Sequence, residues 1–247
     1  MRDFLLVVGI GLLAASLTYV GVPIAERFDV PSRVVNAALQ FAAGFLIGTI
    51  VLSLLVPAVK GISAFAVVVA FFVGGSLFVA LEYFSARRMA ARSAAKPDDG
   101  SNVSSVGLYV GVLGDMLIDG TIIGIGAALS LVTGLRLGLG LSVSQTPLAF
   151  VATATAKKQG MPPRHRRFLG LSFFVTMLGG ALVGYLLLKN QSEHVRLALI
   201  AVGAGFLLTA VTQGMIPEAI EHGKPNTAAV FFVIGLTLFG ALTLVVD

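Results

Sequence analysis

The chain has no cysteine and no tryptophan, only 3 histidines, and charged residues make up 12% of its 247 positions. Without cysteine, disulfides and thiolate metal sites are excluded, and the redox compartment leaves no trace. Without tryptophan, any aromatic belt at a membrane interface must come from Tyr and Phe. The scarcity of charge is the most telling absence. A soluble domain carries about 25% charged residues to cover its surface. Here 57% of residues are hydrophobic and mean hydropathy is +0.96. The apolar runs are continuous, not alternating, which excludes a β-barrel. The composition predicts an all-α polytopic membrane protein whose main partner is the lipid bilayer. The net charge of +5 reads as loop Lys and Arg that fix topology, not as a nucleic-acid surface.

Eight spans are predicted: Phe4–Val22, Val34–Val59, Ile62–Phe84, Ser104–Leu131, Gly138–Ala156, Phe168–Leu188, Val195–Glu218 and Thr227–Val246. The first resembles a signal peptide in its charged start and apolar core, but its apolar run continues to Val22, which favours a retained helix. Eight spans put both termini on one side. Of the 17 Lys and Arg, that side holds five, Arg2, Lys60, Arg136, Lys189 and Arg196, and the other 12 lie opposite. The positive-inside rule then places both termini outside, in a plasma (inner) membrane protein. The stretch "ARRMAARSAAKPDDGSNVSS" contains a flexible cytoplasmic loop over about residues 86–104, and the whole chain, 1–247, reads as a single membrane domain.

Two segments echo each other. "AGFLIGTIVLSLLVPA" begins at Ala43 and "AGFLLTAVTQGMIPEA" at Ala204; the proline follows 14 residues later in the first (Pro57) and 13 in the second (Pro217). They fall in the second and seventh predicted spans. Two spans between the outer triplets give a three-two-three layout, which predicts an inverted-repeat bundle with a site near the midplane.

"GVLGDMLIDGTIIGIGAALSL" places Asp115 and Asp119 in the middle of the fourth span. A membrane-centre Asp costs about 2.5–3.5 kcal/mol on insertion scales. Residues four apart share a helix face, so the two carboxylates point the same way, with no Lys or Arg in that span. Such a face invites a cation, namely a metal ion, a proton or a distant basic residue; the structural alternative is protonated aspartates hydrogen-bonded in a packed core. Gly120 and Gly124 allow a neighbouring helix to approach beside Asp119. In the fifth span "SVSQTPLAF" carries Pro147, which leaves the Val143 carbonyl without a helix donor, preceded by Ser144 and Gln145. Gln145 suits either a ligand or a helix–helix hydrogen-bond partner. In "TQGMIPEAIEHG", Gln213, Glu218, Glu221 and His222 cluster near the end of the seventh span. No Walker, Gly-x-Ser-x-Gly or His-Glu-x-x-His motif occurs, and both aspartates lie on one helix, so no enzyme is predicted and no catalytic residue assigned.

These residues and the layout resemble the Zrt/Irt-like (ZIP) family of divalent-metal transporters. That resemblance implies eight helices, outside termini, a variable loop after the third helix and a metal site on helices four and five. It is carried by "FAAGFLIGTIVLSLLVPAVKG", "RRFLGLSFFVTMLGGALVGYLL" and "LIAVGAGFLLTAVTQGMIPEAIEHG". "DMLIDG" is similar to the helix-four motif His-Asn-x-x-Glu-Gly, with Asp115 at the His, Met116 at the Asn and Asp119 at the Glu. "SQTPLA" is similar to the helix-five motif, but Leu148 and Ala149 replace its Glu-Gly, and Gln213 and Gly214 replace an acidic pair on helix seven. The resemblance therefore implies a single oxygen-rich site from Asp115, Asp119, Ser144, Gln145, Gln213 and Glu218, with a zinc-, iron- or manganese-class cation as cargo and no prosthetic group. Lacking His and Cys, these ligands suit a harder ion such as Mn²⁺ or Mg²⁺. The lost ligands leave a second expectation, a ZIP-derived membrane protein that no longer transports metal and binds a partner or moves another solute. Gly- and Phe-rich outer helices leave room for a homodimer.

Overall fold

The computed structural model describes residues 2–95, 102–217 and 225–245, without the side chains of residue 2, of 88–95, of 102–111 or of 225–228. The described residues are helical throughout, joined by short turns, with no strand among them. We number the α-helices α1 (Arg2–Tyr19), α2 (Gly21–Arg27), α3 (Ser32–Thr49), α4 (Val56–Gly61), α5 (Ala64–Ala95), α6 (Asn102–Leu129), α7 (Leu131–Lys158), α8 (Pro163–Leu188), α9 (Glu193–Ala210) and α10 (Pro225–Val245); α3 continues into a π-helical segment, Ile50–Leu55, and α9 into another, Val211–Met215. Seven of the resulting rods are long and apolar enough to cross a membrane, and Ala229–Val245 is a shorter apolar helix. The protein is a helical membrane protein.

Several boundaries differ from the sequence expectation. Helix α5 runs on to Ala95 and α6 starts at Asn102, so the segment expected to be a loop over about 86–104 is helical on both flanks. Its flanking sequence "ARRMAARSAA" explains this, because Ala, Arg and Met are strong helix formers. Residues 96–101 lie outside the described residues. The turn between the fourth and fifth spans is also far shorter than the gap between Leu131 and Gly138 suggests. Only Ser130 separates α6 from α7: its backbone is extended and its hydroxyl accepts from the Thr133 N–H at 3.0 Å. A serine cap satisfies an otherwise orphaned N–H and starts the next helix at once. At the other end of α7 the chain turns through Gly160, at φ 76°, into Pro162 and Pro163, the glycine-after, proline-before pattern of helix ends.

The two echoing segments carry the same irregularity. The first π segment begins at Ile50 and the second at Val211, 161 positions later; at their ends the Val56 N–H donates to Val51 O and the Ile216 N–H to Val211 O, both five residues back. Each is followed closely by a proline, Pro57 or Pro217. Proline lacks the N–H that the carbonyl four residues earlier expects, and its ring crowds that carbonyl, so the preceding turn widens. The first π segment has 6 residues and the second 5, which matches the one-residue difference in the spacing to proline.

The packing repeats as well. Phe45 meets Phe239 edge-to-face at 5.2 Å and 80°, and Phe78 meets Phe206 at 5.2 Å and 79°. Phe45 to Phe206 and Phe78 to Phe239 are 161 positions apart in both cases. The glycine contacts follow the same step: a Cβ on Gly44 or Gly235 would strike the α10 or α3 backbone (Phe232 O, Phe41 O), and one on Gly205 or Gly74 would strike that of α5 or α9 (Phe71 O, Val202 O). Thus α3 packs on α10 as α9 packs on α5. Without a hydrophobic drive between helices in lipid, such close backbone contact is the main source of association.

Helices α6 and α8 are joined in the same way. A Cβ on Gly120 would strike Met177 O, and one on Gly124 would strike Ala181 O. The predicted close approach beside Asp119 is therefore present, and α8 is the helix that makes it. Helix α5 is peripheral, only 11% buried in its apolar window, with Phe65 and Phe72 79% and 73% exposed.

Candidate functional site

Helices α6 and α7 each have 28 residues, about 42 Å at 1.5 Å per residue. Because a single residue joins them, they form a tight antiparallel hairpin, and their midpoints meet. Asp115 and Asp119 lie near the midpoint of α6; Gln145 lies at that of α7. The hairpin therefore brings together three of the six residues singled out in the sequence.

The Gln145 amide nitrogen, Nε2, donates to Asp115 Oδ2 at 2.7 Å and to Asp119 Oδ2 at 2.5 Å. Asp119 is fully buried and Gln145 almost so. One nitrogen thus ties two carboxylates on successive turns, which agrees with their sharing a face. The other ends of the groups are unpaired: Asp119 Oδ1 and Gln145 Oε1 are buried with no hydrogen-bond partner. A buried polar atom left unpaired costs about 1–3 kcal/mol. Both unpaired atoms are oxygens, and both are acceptors. The missing complement is therefore a proton donor or a cation.

The remaining predicted residues are placed differently. Ser144 is buried, but its hydroxyl donates to Gly140 O at 3.1 Å and Leu141 O at 2.8 Å, within its own helix. Gln213 lies in the second π segment and is exposed. Glu218, Glu221 and His222 lie outside the described residues. Pro147 sits inside an unbroken α7. Met116 is fully buried. Among the described residues no three His, Cys, Asp or Glu side chains converge as a metal-binding group. The centre is two carboxylates and an amide whose nitrogen faces them; their carboxylate and amide oxygens are hard donors of the kind that suit Mg²⁺, Ca²⁺ or Mn²⁺.

A second polar cluster went unread in the sequence. Arg166, expected in a loop, is 7% exposed. Its Nε donates to Glu26 Oε1 at 2.6 Å and its Nη2 to Glu26 Oε2 at 2.8 Å, the planar two-point match of guanidinium to carboxylate. Its Nη1 also donates to Met161 O. Lys157 donates to Glu26 O at 3.3 Å and pairs with Asp29 at 3.0 Å. These contacts lock α2, the end of α7 and the start of α8 together. The available signal was the nearness of opposite charges on one side of the bundle: "AERFD" against "AKKQGMPPRHRR".

Compared with known proteins, the sequence matches no family model and no curated protein.

Proposed function

We propose that the chain is a transporter built on the ZIP plan: eight spans in a three-two-three inverted repeat, both termini outside, carrying a divalent cation toward the cytoplasm past Asp115, Asp119 and Gln145. The observation that carries this reading is the pair of unpartnered buried oxygens, Asp119 Oδ1 and Gln145 Oε1, beside two carboxylates at the midpoints of two spans. An ionisable pair at that depth is costly, and it marks an ion path more often than a structural contact. The repeat is supported by the matched π segments and by the two phenylalanine pairs, all at a step of 161 positions. The hard oxygen donors favour Mn²⁺ or Mg²⁺ over Zn²⁺ as cargo.

The competing reading is a ZIP-derived membrane protein that has lost metal transport. It draws on the absence of a three-ligand cluster among the described residues and on Leu148 and Ala149 at family ligand positions. Uptake of Mg²⁺, Mn²⁺, Fe²⁺, Co²⁺ and Zn²⁺ into vesicles containing the purified chain separates the two. The transporter reading expects uptake of at least one ion above empty vesicles. Folded protein that moves none of them overturns it.

A further inference from the structure

At the end of the bundle that holds the Glu26–Arg166 pair, a cleft of about 480 Å³ opens between α2, α3 and α7. Its polar lining is Asp29, Ser32, Asn36, Thr155, Lys157 and Lys158. Ser32 and Asn36, with Val35 between them, stand at i, i+3 and i+4, so one face of α3 looks into the cleft. That face starts at the helix N-terminus. Pro31, in the cap position, makes no side-chain cap bond, and its carbonyl is taken up by the Val34 and Val35 N–H groups. The first N–H groups of an α-helix have no partner within it and favour an anion.

A second, independent feature lies on the same face. Asn36 is 9% exposed, and its amide nitrogen is buried with no hydrogen-bond partner. The atom left wanting is a donor, the opposite of the situation at the aspartate site. Lys158 adds a cation at the rim, with no ion-pair partner among the described residues, and Thr155 adds a hydroxyl. Asp29 carries the opposing charge, but its side chain is 95% exposed and already paired with Lys157. The rest of the lining, including Phe28, Val35 and Phe150, is largely apolar.

We propose that this cleft binds an anionic phosphate group that carries no cation of its own, held by the α3 N-terminus, by Lys158 and, once its side chain turns toward the cleft, by the Asn36 amide, with the apolar walls taking the carbon skeleton attached to it. The same chemistry serves the headgroup of an anionic phospholipid or free phosphate. The side of the bundle is that of most of the chain's Lys and Arg, where juxtamembrane cations attract anionic lipid.

Native mass spectrometry of the full-length protein, released from micelles doped with phosphatidylglycerol or phosphatidylcholine, or supplied with inorganic phosphate, tests this. Retention of phosphatidylglycerol over phosphatidylcholine, reduced about fivefold by Lys158→Gln and reduced also by Asn36→Leu, assigns the site to a lipid headgroup. Retention of inorganic phosphate with the same sensitivity assigns it to the free anion. Lys158 is exposed, so its variant keeps the test meaningful should Asn36→Leu fold poorly. Two results overturn the proposal: no anion retained above phosphatidylcholine, or retention indifferent to Lys158→Gln.

Discussion

Gln145 reaches across the α6–α7 hairpin and donates to Asp119 at 2.5 Å from the same nitrogen that serves Asp115. The amide stands where a cation would stand, between two carboxylates, with its own oxygen turned away and unpaired. To bind an ion through all three side chains the amide must rotate, so that its oxygen replaces its nitrogen.

The two carboxylates should contribute unequally. Asp119 is fully buried and has a vacant oxygen; Asp115 is partly buried. Asp119→Asn should weaken Mn²⁺ binding by at least the roughly 10–100-fold that loss of an outer-shell partner costs, and Asp115→Asn by less. Calorimetry in two buffers of different ionisation enthalpy checks both affinity and proton release, because metal competes with protons for carboxylates. Equal binding to wild type and to the double variant would remove the carboxylates from the site.

Removing the amide should make stability depend on metal. In Gln145→Leu the two carboxylates lose their shared donor, and a buried acceptor left bare costs about 1–3 kcal/mol or more when charged. The variant should melt below wild type in chelator. Added Mn²⁺ should recover part of the loss, since a ligand that binds only the folded state raises its stability. A melting temperature unmoved by Mn²⁺ in both proteins would count against a cation between these helices.

The Glu26–Arg166 pair should be structural. Removing one partner of a buried pair costs about 3–5 kcal/mol; with Glu26 about one-fifth exposed, solvent screens part of that. We expect Glu26→Gln to cost about 1–2 kcal/mol by that reckoning, read as a lowered midpoint in detergent melting, while leaving Mn²⁺ affinity unchanged. A change in affinity without a change in melting would tie this cluster to the ion path instead.

The positions of the spans and of the aspartates were legible because continuous hydropathy and isolated charges within it are local signals. Gln145 was legible as polar in an apolar span, but its bond to both aspartates depends on the hairpin. The hairpin depends on Ser130, a single capping residue that hydropathy averages away. The π segments were hidden for a different reason: each is a change in winding by one residue, and the sequence shows only the proline beyond it. Ser144 could be recognised as a buried hydroxyl, but not its choice of its own helix backbone over the aspartates, an option open to any helical serine. Arg166 was misread because a basic residue just outside an apolar run looks like a loop residue until Glu26, 140 positions earlier, is brought beside it.

The one-residue turn at Ser130 has a consequence for biosynthesis. Asp119 leaves the ribosome 26 residues ahead of Gln145, a delay of roughly 1–5 s at ordinary elongation rates of about 5–20 residues per second. During that interval α6 carries two aspartates with no partner from α7, each costing about 2.5–3.5 kcal/mol at mid-bilayer. Handing α6 to lipid on its own is therefore disfavoured. Holding it at the translocon until α7 arrives lets the two helices enter the bilayer as one unit, with their polar groups already turned toward each other.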